Sequence, residues 1–166
     1  GQEIRDCVYR GKFAELLETL AQTKNFRTVV KLTDKQKRDA TAEECVLRFF
    51  AYLDRYKRFV HDVTLFLNDY MDSATKHFDY DKKVALFNKT FAELARAFPR
   101  GLSRPTRHTT PLNFFEGVAV GAALALRKQD HLCVDALSTW KDSPELRKYT
   151  IAATNNRLAV AGRIEF

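Results

Sequence analysis

Residues 79–101 read DYDKKVALFNKTFAELARAFPRG. Within them Phe87, Phe91, Leu94 and Phe98 recur at helical spacing and form one apolar stripe on a 3.6-residue period. Asp79 stands where an N-cap carboxylate accepts from the first free backbone amides, and Pro99 with Gly101 closes the segment. The stretch predicts a long amphipathic helix laid on a core. The same period recurs upstream, where GKFAELLETLAQT places Phe13, Leu16, Leu17 and Leu20 at i, i+3, i+4 and i+7. Thr41-Ala42-Glu43-Glu44 has capping-box spacing and predicts a helix start. After it Val46, Phe49, Phe50 and Leu53 share a face, and Phe59, Val63, Phe66, Leu67 and Tyr70 continue the period in one bent helix or two. Downstream, Thr110-Pro111 and Ser143-Pro144 each set an N-cap before a proline at N1. They predict helices over PLNFFEGVAVGAALALRKQ and from Ser143 to around Thr154, the latter the last helix, ended by Asn155-Asn156.

Composition points the same way. The 166 residues include 13 Phe and 6 Tyr but only 6 Gly and 4 Pro, too few turn formers for many tight hairpins. With no internal repeat and no linker, the expectation is all-α: a single helical domain over residues 1–166, built from six or seven packed helices. Cys7, Cys45 and Cys133 are odd in number and far apart, which fits a reduced, cytoplasmic chain. The longest apolar run, Gly117 to Leu126, is about half a membrane span, so no membrane partner is predicted. The first residue is Gly1, and the polar residues after it already read as helix interior, so the chain is expected to begin part-way through a larger protein.

Motifs for chemistry are missing from the sequence. It contains no GxSxG elbow, no cysteine-protease signature, no HExxH pair and neither glycine-rich phosphate loop. His61, His77, His108 and His131 lack partners at ligand spacing, so no catalytic residue and no metal ligand is predicted in this chain. Glu44 and Arg48 stand one turn apart in the orientation of a helix-surface ion pair. Arg48 also sits beside Leu47 and Phe49, at the edge of the apolar face, where its fork could instead reach a carboxylate or phosphate in a polar pocket. Gly117, Gly121 and Ala125 repeat every four residues, a small-residue ridge for close helix packing or for docking a partner helix.

The charge is strongly basic, with 28 Lys and Arg against 21 Asp and Glu, a formal net charge of +7. Lys24, Arg27, Lys31, Lys35, Lys37 and Arg38 form one cluster with a single acid, Asp34. Arg96, Arg100, Arg104 and Arg107 form a second with none. If Arg100, Arg104 and Arg107 share a face with the first cluster, the pair makes a salt-sensitive contact with nucleic-acid phosphates.

Two stretches resemble a known family. QEIRDCVYRGKFAELLETLA is similar to its "QE-hydrophobic-R … G-x-F … LL … LA" segment, and EECVLRFFAYLDRYKRFVHDVTLFLNDYM to its "E-hydrophobic-LRF … Y … FLN-x-(F/Y)M" block. The helix from Lys82 to Phe98 and the closing RLAVAGRI resemble its tail, while Arg104 to Asn156 match only loosely. The family is domain-of-unknown-function 262, that of GmrSD-type type IV restriction enzymes and related anti-phage proteins. The resemblance implies a helical half that follows a ParB- or sulfiredoxin-like half bearing a DGQQR motif, often beside an HNH-type nuclease domain. No DGQQR occurs here. The implied function is support of nucleotide-dependent DNA cleavage or nicking, with a nucleoside triphosphate as cofactor of the full-length protein and none in this chain. Gln2, Glu3, Arg5, Arg48 and Asn68 match the family's recurrent polar positions, and the resemblance assigns them to the lining or bracing of the junction with the other half. The alternative is a free-standing nucleic-acid-binding or protein-interaction module.

Overall fold

The computed structural model describes residues 5, 8–104, 108–151 and 155–165. Among these the chain is helix and loop throughout, with no strand. Its helices are α1 (Lys12–Ala21), α2 (Lys24–Val29), α3 (Asp34–Arg38), α4 (Thr41–Arg55), α5 (Val63–Lys76), α6 (Tyr80–Ala97), α7 (Leu112–Leu126), α8 (Val134–Trp140), α9 (Pro144–Thr150) and α10 (Arg157–Glu165). A 3-10 turn, Tyr56–Arg58, separates α4 from α5, so the long apolar period after Thr41 belongs to two helices. Among the described residues ten helices stand where six or seven were expected, because the first basic cluster folds into the short α2 and α3, because α8 carries no stripe or cap legible in sequence, and because α10 follows the helix expected to be last.

The core is built on α4, α6 and α7. Ten of the fifteen residues of α7 are buried, as a helix apolar on all sides requires. It packs against α4, α6, α9 and α10. The stripe of α6 lies inside, with Phe87, Phe91 and Leu94 all 1% exposed or less. Their rings close on one another and on neighbouring helices. Phe87 and Phe91 have centroids 4.4 Å apart, Phe49 of α4 stands 5.3 Å from Phe87, and Phe26 of α2 stands 5.2 Å from Phe91. Such edge-on and tilted contacts add to the burial of the rings themselves.

Two expected caps hold. Asp79 accepts from the Lys82 amide and Ser143 from the Leu146 amide. Three other local readings need correction, each because a polar side chain is used elsewhere. Thr41 is the first helical residue of α4, preceded by Ala40 in the left-handed region at φ 54°, and its hydroxyl turns back to Asp39 Oδ1 at 2.5 Å. The capping box forms instead at Thr33, whose hydroxyl accepts from the Gln36 amide while Gln36 Oε1 accepts from the Thr33 amide. Thr110 is held by Lys31: the Thr110 amide donates to the Lys31 carbonyl at 2.8 Å, and the Lys31 amide donates to the Thr110 hydroxyl at 2.9 Å. Helix α7 therefore starts one residue late, after Pro111. Asn156 is no terminator. Its side chain accepts from the Ala159 amide and caps α10, the last helix, while α9 ends at Thr150. The predicted end of that helix, Thr154, falls outside the described residues.

The small-residue ridge of α7 is filled from within the chain. A Cβ on Gly117 would sit 2.8 Å from the Arg163 carbonyl oxygen, and one on Gly121 would sit 3.3 Å from that of Ile164. Helix α10 lies in that track, which needs the absence of a side chain at Gly117.

Candidate functional site

Two polar constellations stand out, one buried and one exposed. The buried one starts at Arg48 on α4. Its Nη2 donates to Glu44 Oε1 at 2.7 Å, which is the expected turn-to-turn pair, and its Nη1 donates to Glu116 Oε1 of α7 at 2.5 Å. Glu116 is the single charged residue between Pro111 and Leu126, and its other oxygen accepts from Arg163 Nη2 of α10. On the far side Glu44 Oε2 accepts from Arg5 Nη1 at 3.4 Å, and Arg5 Nε donates to Asn68 Oδ1 of α5 at 2.8 Å. The line Asn68–Arg5–Glu44–Arg48–Glu116–Arg163 thus joins an N-terminal helical turn to α5, α4, α7 and α10. The Glu116 and Arg163 side chains are 1% and 0% exposed.

Burial alone would drive the Arg48 guanidinium towards its neutral form, but Glu116 and Glu44 beside it outweigh that and raise its pKa above the usual arginine value. Neighbouring Cys45 is moved away from reactivity: burial pushes its thiol up to about 12, so it is no nucleophile near neutral pH. A second polar tie braces α4, α5 and α6, where the Tyr70 hydroxyl donates to Asp54 Oδ2 at 2.6 Å and Lys83 pairs with the same oxygen.

The exposed constellation joins parts of the two basic clusters. The Leu102 amide donates to the Val29 carbonyl at 2.7 Å, and the Lys31–Thr110 pair lies alongside it. Gly101 has φ 99°, and the aliphatic stem of Lys31 runs where its Cβ would be. The loop after α6 is thereby pinned to the end of α2. Lys24 and Arg27 are exposed on α2 and Arg100 is exposed on the loop, while Lys31 is half-buried with its Nζ donating to the Arg27 carbonyl at 3.2 Å.

Of the predicted site residues, Arg5, Arg48 and Asn68 come together in the buried line, and Gln2 and Glu3 lie outside the described residues. Lys35, Lys37 and Arg38 are exposed on α3, where Lys37 pairs with Asp34 at 2.8 Å. Arg104 points inward, its guanidinium over the Phe114 ring at 4.6 Å and bonded to the Thr150 hydroxyl. It is therefore a packing residue of α7 and α9 rather than part of the exposed basic face. Arg107 lies outside the described residues. Glu116 and Arg163 escape sequence reading, although one acid inside the apolar run NFFEGVAVGAALAL is itself a signal that a cation waits elsewhere. Among the described residues no three His, Cys, Asp or Glu side chains gather as a metal group, and no helix is long and apolar enough to cross a membrane.

No protein-family model, curated protein or solved structure matches this chain.

Proposed function

We propose that this chain is the helical, nucleic-acid-contacting subdomain of a phage-defence protein of the type IV restriction kind. It grips DNA phosphates and braces the fold, and the nucleotide-dependent cleavage belongs to other parts of the full protein. The observation that carries the reading is the junction at Lys31 and Gly101, which pins the loop bearing Arg100 to the end of α2, the helix that bears Lys24 and Arg27. A cluster of exposed cations on a chain of net charge +7 favours a sequence-independent phosphate contact. The family resemblance adds the defence role. It gains support from Arg5, Arg48 and Asn68, the described matches to the family's polar pattern, which share one hydrogen-bonded line. In that line Arg48 is saturated by two carboxylates, so its role here is bracing rather than holding a nucleotide.

The test is the salt dependence of duplex DNA affinity, read by fluorescence anisotropy. Lys24→Glu, Arg27→Glu and Arg100→Glu together should flatten the slope of log K against log salt by roughly 0.9 for each phosphate no longer neutralised, about 3 for three. An unchanged slope removes this face from DNA binding. Nucleoside triphosphate hydrolysis by this chain alone would overturn the supporting role.

A further inference from the structure

At the other end of α7 from the basic face lies a groove of about 940 Å³, walled by α7, α8, the Tyr56–Arg58 turn and the end of α10. Its lining is apolar at Ala122, Ala125, Leu132, Leu137 and Trp140. Its rim is basic, with Lys57, Arg127 and Lys128 against one acid, Glu165. Glu165 is already committed, since it accepts from the Tyr56 hydroxyl at 2.7 Å and pairs with Lys57 at 3.7 Å. Arg127 and Lys128 are exposed and have no carboxylate partner among the described residues. An occupant therefore needs an apolar face and an anionic flank.

The shape narrows the occupant further. Helix α10 lies along α7 with its backbone on Gly117 and Gly121, and the groove continues that track to Ala125, four residues on. A track already shaped for a helix is shaped for another helical turn, and helix-in-groove binding uses such a combination of apolar floor and charged edge. We propose that this groove docks an amphipathic helix of a partner protein, apolar towards Ala125, Leu137 and Trp140 and acidic towards Arg127 and Lys128. The proposal does not rest on DNA binding. Fourteen residue steps of α7 separate Leu112 from Leu126, about 21 Å, so the two faces can be occupied independently.

Trp140 is the chain's only tryptophan, so its emission reports on the groove. The probe is a synthetic peptide of about five helical turns, with Leu and Ala on one face and Glu on the other. Controls are the same composition scrambled and a version with Lys in place of Glu. The acidic amphipathic peptide should shift Trp140 emission saturably. Arg127→Glu with Lys128→Glu should weaken that binding roughly tenfold or more, as should Ala125→Leu, with helical circular dichroism unchanged in both. Equal binding of either control peptide overturns the proposal. So does an emission change on self-association without peptide, or one given by laurate and not by the peptide. No saturable change at millimolar peptide also overturns it.

Discussion

Neutralising Glu116 should damage the protein far more than removing the arginine beside it. The buried line holds three guanidinium groups, of Arg5, Arg48 and Arg163, against two carboxylates, of Glu44 and Glu116. Glu116→Gln keeps the shape but takes from the line the carboxylate that Arg48 and the 0% exposed Arg163 share. Breaking a buried pair by removing one partner costs about 3 to 5 kcal/mol. For a domain of this size that is a fall in Tm of roughly 6 to 20 °C. Arg48→Met acts on the same line with the opposite charge. It leaves Arg5 with Glu44 and Arg163 with Glu116, one cation to each carboxylate, and Met fills much of the vacated stem. Its expected cost is about 1 to 2 kcal/mol. In the double variant the two losses should not add, because both act on one oxygen-to-guanidinium contact of 2.5 Å. Urea unfolding of the four proteins, with m-values compared to check that two-state behaviour is kept, measures the cycle. The reasoning is refuted if Glu116→Gln costs under about 1 kcal/mol, the value of a solvent-exposed pair, or if Arg48→Met costs as much as Glu116→Gln.

Phe91→Ala removes a ring that touches Phe26, Phe49, Phe87 and Phe115, and should cost about 3 to 5 kcal/mol in the same assay. Glu93 accepts from the Leu132 amide at 3.0 Å, and that bond, with His131 and Arg96 nearby, lowers its pKa despite burial. A depressed carboxylate stabilises the fold above its unfolded pKa, near 4.5, and loses that contribution as pH falls through the folded value. The Tm gap between wild type and Glu93→Gln should therefore be widest near neutral pH and shrink below about pH 4, and a gap independent of pH would contradict the assignment. Gly117→Ala forces α10 away from α7, since the new Cβ meets the Arg163 carbonyl at 2.8 Å, and should cost about 1 to 3 kcal/mol. An alanine tolerated there without loss would mean that α10 is not seated on the ridge.

What the sequence reveals is the part of the structure that a helix decides within itself. The stripe of Phe87, Phe91 and Leu94 is core, and Asp79 and Ser143 cap, with no distant partner on their side-chain oxygens among the described residues. Thr41, Thr110 and Asn156 are read amiss where a longer-range or neighbouring use is stronger. Thr110 shows how: its local geometry suits an N-cap, but the extended Lys31 backbone offers both an amide and a carbonyl, and two bonds across 79 residues outweigh one cap. The same two bonds pin the loop after α6 to α2, so the feature that shifts the start of α7 by one residue also joins the basic clusters.

The buried line follows the same logic at higher stakes. Glu44 and Arg48 look like a surface pair because one turn of helix is enough to satisfy both. The reason they are half-buried lies in α7, where a helix apolar on all sides carries one carboxylate that must find a cation or remain unpaired in the core. Glu116 has two oxygens, and α4 and α10 approach α7 from different directions, so each helix supplies one arginine. Gly117, the next residue, lets α10 come close enough for Arg163 to reach. The acid and the glycine are thus one device: the glycine sets the approach of the helix, and the acid fixes its register. A substitution at either should loosen α10 first, and with it the end of the groove that Ile164 and Glu165 form.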